Sequence, residues 1–419
     1  MRRRVSGGAL RRCLGRALPH GLVSWRYLLP RLPPNLAWHR QIWLCNRPPR
    51  LPLPLFLVLE TLLWLRWVLF SGWRATRRTV CRRREGEGCG GPRFLPTLRL
   101  SLGYCFPPAE LDAFDLLEAP DRNRALEYVY THELPGFHRW RDRKLTGADA
   151  AHNLLQDKFA LAKRLVATGL PVVATLTLVP RGAQFNPSLL LESHPVLFCK
   201  PRHGSHGCDA FVLEAGPLTG EAQVHATEAG RKSVPVPFSV LRRAIERDDF
   251  LVQPLLANHP ELAGLAPGAD AVTLRLITER PMEGEPRLIN ATLEVPPLST
   301  ALRQGHRILP LDLATGCPLP PPPRRLPAAL RSGIEALLEE LGGRPVPYWP
   351  RLVEIALAAH DKVPGLYAVA WDFVVTPEGP MLLEGNSGWG TRFHQVLNGG
   401  LLEGEPVVTV REVPCSSSS

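Results

Sequence analysis

Asp372, Glu384 and Asn386 bring two carboxylates and an amide into one short stretch near the carboxy end of the chain. Their oxygens are hard ligands and the set contains no Cys or His, so it favours Mg²⁺ or Mn²⁺ over zinc. A cation held in this way usually binds a phosphate group as well. The other interpretation is an exposed hairpin with acids on its solvated face. The apolar sequence around Glu384 favours the metal site.

Two apolar runs carry these residues and flank a turn, which predicts a β-hairpin. A three-residue loop, Pro377-Glu378-Gly379, with its glycine in the left-handed conformation would place Thr376 opposite Pro380. That register pairs Asp372 with Glu384. Because side chains alternate along a strand, all three oxygen donors then lie on one face.

Length and cysteine content bound the class of protein. A chain of 419 residues has room for more than one globular unit. Its nine Cys are odd in number and lack the paired CxxC spacing of a structural zinc site, which favours a reduced compartment. We therefore expect a cytoplasmic protein.

Positive charge is concentrated at the N-terminus. The first 100 residues hold 20 Arg, no Lys and three acids, a net charge of +17, whereas the rest of the chain carries 30 basic and 36 acidic residues, a net −6. Residues 1–50 are Arg-rich and have no sustained period. They fit a targeting segment, a nucleic-acid arm or an over-long translation start equally well.

The most apolar stretch, Leu51 to Trp73, is long enough to cross a bilayer, but Glu60 and Arg66 interrupt it. Its tryptophans, and the arginines that follow it, are typical of an interfacial anchor beside anionic lipid. We favour peripheral attachment to the inner face of a membrane over a buried helix, and either of these over a true span. Four glycines between Glu85 and Pro92 then indicate a linker.

Lysine is rare in this chain, with six Lys against 44 Arg, so a lysine at a motif position is informative. From Asn153 to Leu165 apolar residues recur at helical spacing, which predicts one helix. Lys158 lies on or near its apolar face, where a lysine commonly snorkels. The segment Pro195 to Lys200 predicts a strand that ends at the second informative lysine.

The small-residue loop Pro201 to Cys208 follows that strand and precedes another at Phe211 to Leu213. The backbone amides of such a loop can fold over phosphates. His203, His206 and Cys208 could instead be three zinc ligands, but no fourth ligand is spaced to join them.

Two further strands carry polar residues at informative places. Asp249 to Leu256 predicts a buried strand that contains Gln253, and Ala271 to Thr278 alternates, with Thr273 and Arg275 on one face. An arginine that faces acids suits a phosphate or a carboxylate, although a structural arginine is equally common. The remaining predicted elements are a strand at Leu288–Val295, an insertion loop at Leu309–Pro327, and helices at Pro327–Leu341 and Arg351–Asp361.

The order of these features resembles the ATP-grasp superfamily. The features are, in order, Asp157-Lys158, Lys200-Pro201, Val252-Gln253, Thr273-Leu-Arg275, and the hairpin that carries both Asp372 and Glu384-Gly-Asn386. The closing pattern, WDFVVTPEGPMLLEGN, is most similar to ATP-grasp domains associated with sugar transfer and exopolysaccharide clusters, which are related to alpha-L-glutamate ligases. The resemblance covers roughly Asn153 to Asn398, and five elements in this order are fairly specific.

The resemblance implies an α+β fold of the ATP-grasp type, in which two α+β subdomains clasp a nucleotide behind an Arg-rich, partly apolar N-terminal extension. We expect a basic extension at 1–92 with a membrane-associated helix at 51–73, a small leading subdomain at 93–150, the ATP-grasp domain at 151–400, and a tail at 401–419.

Residue roles follow from the resemblance by matching positions. It implies that Lys158 and Lys200 hold the phosphates of ATP, that Lys158 and Arg275 are catalytic, and that the Mg²⁺ or Mn²⁺ ligands are Asp372, Glu384 and Asn386. The remaining nucleotide contacts are His203, Gly204, Ser205, His206 and Gly207 in the loop, and Gln253, Pro254, Leu255 and Leu256 in the hinge. The loop departs from the usual run of glycines, and many relatives have Glu at the hinge position.

The implied function is a Mg·ATP-dependent ligase that activates a carboxylate as an acylphosphate for attack by an amine or hydroxyl. Its product would be a polysaccharide, cell-surface or peptide-like conjugate, and its partners ATP, a carboxylate or sugar-linked acceptor, and an anionic membrane. A second hypothesis is a nucleotide-binding, membrane-tethered scaffold without catalysis. A third is nucleic-acid binding by the basic N-terminus. It ranks last because lipid head groups explain arginines beside a Trp/Leu-rich segment at least as well.

Overall fold

The computed structural model describes most of the chain: residues 25–29, 31–48, 51–82, 94–117, 122–143, 145–204, 209–216, 222–228, 231–266, 271–281, 284–296, 307–320 and 328–403. Contacts divide the chain into two compact units. A helical unit consists of Met1–Arg141 and Gly390–Ser419, and a two-sheet unit consists of Asp142–Trp389. The domain limits given above stay a prediction.

The helices are, in chain order, α1 (Pro34–Cys45), α2 (Leu53–Arg66), α3 (Gly72–Arg82), α4 (Phe94–Tyr104), α5 (Pro108–Ala113), α6 (Arg122–Ala125), α7 (Leu134–Asp142), α8 (Ala148–Gln156), α9 (Lys158–Val166), α10 (Ser188–Ser193), α11 (Phe238–Ile245), α12 (Pro260–Ala263), α13 (Ala328–Leu341), α14 (Trp349–Asp361) and α15 (Thr391–Asn398). A single 3₁₀ turn covers Trp25–Leu28, and a π-helical turn, Trp67–Ser71, joins α2 to α3.

The strands are β1 (Thr177–Val179), β2 (Val196–Pro201), β3 (Phe211–Ala215), β4 (Ala222–Glu228), β5 (Arg231–Val236), β6 (Phe250–Pro254), β7 (Thr273–Glu279), β8 (Arg287–Val295), β9 (Arg307–Pro310), β10 (Ala368–Thr376) and β11 (Gly379–Asn386). They form a six-stranded sheet in the order β1-β6-β2-β3-β4-β5 and a five-stranded sheet in the order β11-β10-β7-β8-β9. Pairing within both sheets is antiparallel. This mixture of helices and antiparallel sheets confirms the predicted α+β class.

Aromatic stacking and one buried ion pair hold the helical unit together. Phe106 stacks on Tyr130 with ring centroids 4.4 Å apart. His39 Nδ1 lies 2.6 Å from Glu133 Oε1 in the interior, and His39 Nε2 lies 3.0 Å from the carbonyl of Leu126. Burial alone would lower the pKa of His39, but the carboxylate beside it raises that pKa above its ordinary value. Each buried charge is thus compensated by its partner.

The apolar stretch predicted at 51–73 forms α2 and the turn that leads into α3. In the part of the chain that the structure describes, Leu53–Cys81 is the one helical segment long and apolar enough, by length and composition alone, to cross a membrane. The acid that interrupts it, Glu60, accepts a hydrogen bond from Trp43 Nε1 at 3.2 Å. Its carboxylate is therefore held within the helical unit.

The five-stranded sheet is built around β10, every residue of which is buried. One face of this strand carries Trp371 and Phe373, which pack with Leu352 and Ile355 of α14 in the core of the two-sheet unit. Side chains alternate along a strand, so Asp372 lies on the opposite face. The packing of the apolar face thereby fixes where the acidic face must point.

The hairpin of β10 and β11 has the predicted pairing with a different turn. Thr376 lies opposite Gly379, not opposite Pro380 as expected, so the connecting loop is one residue shorter than the three-residue loop. The register shifts between Asp372 and Phe373, where β11 contributes one extra residue as a bulge. The bulge restores the expected pairing of Asp372 with Glu384.

The single helix predicted from Asn153 to Leu165 is wrong. The chain breaks at Asp157, which has extended backbone angles between α8 and α9. Its side chain accepts a hydrogen bond from Ala160 N at 3.1 Å, and aspartate is a favoured residue at this capping position. Lys158 is therefore the first residue of α9 and not a residue of a helix interior.

Two other boundaries differ from expectation. The segment Val172–Val179, whose apolar sequence predicts a strand, pairs in the six-stranded sheet only through β1, while Val172 bridges to Leu382 in the five-stranded sheet. The insertion loop predicted from Leu309 begins inside β9. Both differences arise because pairing with distant strands overrides local sequence pattern.

We expect Gly385→Ala to destabilise the two-sheet unit by about 1–3 kcal/mol, because overpacking a filled core costs that much. A Cβ at this position would lie 2.6 Å from Trp371 Cζ3 and 3.0 Å from Leu155 Cδ2. Gly388→Ala is the matched control, since a Cβ there meets nothing within 4 Å. Urea unfolding of both variants tests this, and equal midpoints would contradict the packing described.

Candidate functional site

Arg202 joins three segments of the two-sheet unit at one end of the site. Its Nε and Nη2 donate to the two carboxylate oxygens of Asp157 at 2.8 and 2.6 Å, and its Nη1 donates to Asp249 Oδ2 at 3.0 Å. The hydrogen bonds from Arg202 hold the pKa of Asp157 below its ordinary value. The start of α9 is thereby fastened to the end of β2 and to the start of β6. The sequence analysis gave Arg202 no role.

Lys158 is held against the loop predicted to cover phosphates. Its backbone N donates to the carbonyl of Arg202 at 3.2 Å, and its Nζ donates to the carbonyl of Gly204 at 2.6 Å. Gly204 has φ +108°, a conformation that favours glycine. The lysine and the loop therefore form one structural element.

The other predicted loop residues divide into two groups. His203 contacts Asp248 through its backbone N and through Nδ1, both at 3.1 Å. Ser205, His206 and Gly207 lie outside the described residues, and so does Cys208 of the zinc alternative. The roles predicted for this loop stay predictions.

Asp372, Glu384 and Asn386 converge on one face of the five-stranded sheet. The two acids are direct cross-strand partners. Asn386 Nδ2 lies 3.1 Å from Asp372 Oδ2 and 3.4 Å from Glu384 Oε1, and therefore bridges both carboxylates. Asp372 is buried and the other two are half-buried. The structure thus brings the three predicted metal ligands together.

Arg275 lies on the same face, directly opposite Asp372 on the neighbouring strand β7. Its Nε donates to Asp372 Oδ1 at 2.8 Å and its Nη2 to Oδ2 at 3.1 Å. The pKa of Asp372 is raised to about 6. Burial is the largest cause and the charge of Glu384 adds to it, whereas Arg275 opposes both. Burial disfavours the charged form of Asp372, and the positive charge of Arg275 is the main interaction that offsets this cost.

Glu294 is a third acid at this site that the sequence analysis missed. It lies on β8 with its Oε1 3.4 Å from Arg275 Nη1. Thr292 on the same strand is the direct partner of Arg275, so alternation puts Glu294 on the same face. Glu294 lies in the strand predicted at Leu288–Val295, but its place at the site follows only from the pairing of β8 with β7.

Lys200 brings the six-stranded sheet into the site. Burial lowers its pKa, the charges of Glu384 and Asp372 raise it, and the charge of Lys158 lowers it further. Interactions of this kind require proximity, so Lys200 lies near Lys158 and near the acids of the five-stranded sheet. Lys200 of the six-stranded sheet thus faces two anions of the five-stranded sheet, and Lys158, the first residue of α9, is close to Lys200.

The predicted hinge residues lie where the chain leaves the six-stranded sheet. Gln253 is buried in β6 opposite Phe198, and Pro254 ends the strand. Leu255 and Leu256 are half-buried. A few residues later His259 N donates to the carbonyl of Val375 at 2.7 Å, in the five-stranded sheet. The hinge therefore spans the two sheets.

The donor set fits a cation that is shared with a phosphate. Within the described ranges no group of three or more His, Cys, Asp or Glu residues is arranged to hold a metal ion. The set at β10 and β11 consists of two carboxylates and an amide. Mg²⁺ is usually bound by one or two protein carboxylates, while phosphate oxygens and waters complete its coordination shell. Rotation of the Asn386 amide would turn its oxygen toward the same point.

Comparison with protein families supports this reading of the carboxy-terminal half. Residues 333–409 match the family described as sugar-transfer associated ATP-grasp. The match covers β10, β11 and the predicted metal ligands. It confirms the predicted resemblance to the ATP-grasp superfamily and, within it, to the sugar-transfer family. No curated protein matches the chain in sequence.

Several solved structures share part of the fold at low similarity. The N5-carboxyaminoimidazole synthase of Aspergillus clavatus, in complex with ADP and 5-aminoimidazole ribonucleotide, is 13% identical over 57% of this chain and 46% of its own, with a TM-score of 0.32. The D-alanine–D-alanine ligase of Bacillus anthracis, complexed with ATP, is 12% identical over 57% of this chain and 56% of its own, at 0.33. The VanG D-Ala:D-Ser ligase of Enterococcus faecalis is 15% identical over 60% of this chain and 58% of its own, at 0.35. The chain spans about half the length of these structures, and at such scores they carry no argument about function.

We expect Arg275→Met to destabilise the two-sheet unit by about 3 kcal/mol, because removing one member of a buried ion pair leaves the other charge uncompensated. Glu294→Gln should lower the free energy of unfolding by about 1 kcal/mol or less, because the side chain of Arg275 is 38% exposed and its two hydrogen bonds to Asp372 remain. Urea unfolding at pH 8 compares the two variants. If both variants lost the same free energy of unfolding, the pair of Arg275 with Asp372 would not be stronger than the pair of Arg275 with Glu294.

Proposed function

We propose that the two-sheet unit binds Mg·ATP and uses it to activate a carboxylate as an acylphosphate, which an amine or hydroxyl then attacks. The observation that carries this proposal is the proximity of Lys200, in the six-stranded sheet, to Asp372 and Glu384 in the five-stranded sheet, with Lys158 close to Lys200. Cations on one side suit the phosphates of a nucleotide, and acids on the other suit the divalent cation that accompanies it.

Each charged group has a distinct task in this proposal. The ammonium groups of Lys158 and Lys200 neutralise phosphate oxygens as negative charge shifts toward the leaving diphosphate. Asp372, Glu384 and Asn386 would hold Mg²⁺, which supplies a Lewis acid for the phosphate oxygens. Lys200 is suited to its task because burial strengthens its interaction with any anion that replaces water.

Arg275 orients the group that receives the phosphoryl. A guanidinium presents five N–H donors in a planar fork that matches a carboxylate or a phosphate. Its outer Nη1 meets Glu294 at 3.4 Å, a longer contact than either bond to Asp372, and the side chain is 38% exposed. That exposed edge is the side from which a substrate carboxylate would be bound.

The acceptor class rests on the family resemblance. The matching family is described as sugar-transfer associated, which supports an acceptor or donor that carries a sugar, as in polysaccharide or cell-surface conjugate biosynthesis. An acylphosphate must also be kept from water, and the loop fastened by Lys158 Nζ is suited to cover it.

A nucleotide-binding scaffold without catalysis is the second candidate. Arg275 is engaged by both Asp372 and Glu294, an arrangement that also suits a purely structural ion pair. Such a protein would be stabilised against heat by Mg·ATP but would release no ADP with any acceptor.

We expect Glu384→Gln to lower ATP turnover by about 100-fold or more, because it removes a ligand that the cation needs. ADP release with pooled carboxylates and amines is the measurement, and thermal protection by Mg·ATP reports binding separately. Glu378→Gln is the matched control, because it changes an exposed acid at the turn of the same hairpin.

Unchanged ADP release in Glu384→Gln would show that the site is assigned wrongly. Protection without turnover in the unaltered protein, lost in Glu384→Gln and kept in Glu378→Gln, would favour the scaffold.

We also propose that α2 and the following turn attach the helical unit to an anionic membrane. The support is a set of large apolar side chains that α2, the turn and the first residues of α3 leave exposed: Leu53, Leu55, Val58, Leu59, Leu62, Leu65, Leu69, Phe70 and Trp73. Arg74, Arg77 and Arg78 in α3 are exposed immediately after them, and α3 has no acid. Apolar surface followed by arginines suits the boundary between acyl chains and anionic head groups.

Vesicle binding tests this attachment on the full chain. We expect the unaltered protein to bind vesicles that contain phosphatidylserine, and this binding should be sensitive to salt. Changing Arg74, Arg77 and Arg78 to Gln should weaken the binding by about 100-fold, at about 1 kcal/mol per arginine. Leu62→Glu should also reduce binding, whereas Leu189→Glu, which changes an even more exposed leucine of the two-sheet unit, should not. Equal binding of all variants, or none by the unaltered protein, would contradict the proposal.

A further inference from the structure

A serine, a histidine and an aspartate form a continuous hydrogen-bonded chain at the end of β11, beside the site described above and separate from it. His152 Nδ1 lies 2.8 Å from Ser387 Oγ, and His152 Nε2 lies 2.9 Å from Asp142 Oδ2. Asp142 Oδ1 accepts a hydrogen bond from the backbone N of Tyr367 at 2.9 Å. Asp142 of α7 and His152 of α8 are 10 residues apart in sequence, and Ser387, the residue that follows β11, is 235 residues from His152.

The hydrogen bonds determine the protonation of the histidine. Asp142 Oδ1 accepts the backbone hydrogen bond, and an ionised carboxylate only accepts, so with Asp142 ionised His152 Nε2 donates to Oδ2. His152 Nδ1 is then the unprotonated nitrogen, and it can only accept a hydrogen bond from Ser387 Oγ. This is the arrangement that lets an imidazole take a proton from a serine while a carboxylate orients it.

The surroundings give a substrate access to this serine. Asp142 is 4% exposed, as expected of an orienting acid, while the side chain of His152 is 24% exposed. Ser387 is half-buried and Gly388 is exposed. A Cβ built on Gly388 meets nothing within 4 Å, so there is open space next to the serine.

We propose that Ser387 is a nucleophile, with His152 as its general base and Asp142 as the positioning residue, that takes up the acyl group of a carboxylic ester. This inference does not depend on the ligase activity proposed above. It adds a second reactive centre, one residue beyond the predicted metal ligand Asn386.

The chemistry balances with the ester and water alone. Ser387 Oγ forms a bond to the carbonyl carbon while its proton passes to His152 Nδ1. The bond to the leaving alcohol then breaks, and His152 returns the proton to the departing alkoxide oxygen. A water then bonds to the acyl carbon while its proton passes to His152 Nδ1, the bond from that carbon to Ser387 Oγ breaks to release the acid, and His152 returns the proton to Oγ.

The developing oxyanion has one candidate donor in the backbone. Over the part of the chain that the structure covers, the N–H of Gly388 makes no hydrogen bond. It belongs to the residue directly after the nucleophile, which supplies an oxyanion donor in other serine hydrolases.

Labelling of the full chain with a fluorophosphonate tests the proposal without any knowledge of the natural ester. The serine oxygen displaces fluoride from phosphorus and its proton passes to the histidine. We expect one labelled peptide, identified by mass spectrometry, that contains Ser387. Ser387→Ala should abolish the label, and Ser188→Ala, which removes a half-buried serine bonded to Asn186, should leave it unchanged.

Variants of the other two residues separate a reactive centre from a structural hydrogen-bond chain. His152→Ala should slow labelling by about 100-fold or more, the usual contribution of a general base. Asp142→Asn should slow it while thermal unfolding shows the protein folded, because an amide favours the wrong tautomer of His152.

Two results would overturn the proposal. One is the absence of label on Ser387 in the folded, unaltered protein. The other is a labelling rate that His152→Ala leaves unchanged, since a serine that reacts without the histidine is not activated by it.

Discussion

The compensation of a buried carboxylate by the cations around it is the constraint on which the site depends. β10 is buried along its whole length, and alternation forces Asp372 to the face opposite Trp371. A charge in that position is costly unless it is paired. Arg275 supplies the pairing in this structure, and a divalent cation would supply it in the proposed complex. The acid face is therefore stable only with a cation upon it, and this makes it a suitable place to hold Mg·ATP.

A second set of ion pairs, made by Arg202, positions Lys158 at the start of α9. Arg202 is bonded to two acids, Asp157 and Asp249, which come from the start of α9 and the start of β6. The bonds fix the first residue of α9, and that residue is Lys158. The helix break at Asp157 is thus required by the site, because an unbroken helix would leave this aspartate without its capping role and its guanidinium partner.

The acid hairpin could be predicted from sequence because its determinants are local. Turn residues between two apolar runs, with a period of two, define pairing within a few residues, and the pairing of Asp372 with Glu384 followed even though the turn was one residue shorter than expected. The roles predicted for Lys158, Lys200 and Arg275 rest on positions that a family pattern names. The helix of Asn153 to Leu165 was wrong because apolar spacing continues across a capping residue that interrupts the backbone.

The sequence by itself determined the α+β class, the hairpin with its three oxygen donors and the separation of a basic, apolar N-terminus from the remainder. Only the tertiary structure decided that Glu294 belongs to the site, that Arg202 fastens α9, and that Ser387, His152 and Asp142 form one chain. The reason is physical. These contacts join residues that are distant in sequence, and their partners are set by strand order and helix packing, which no local period encodes.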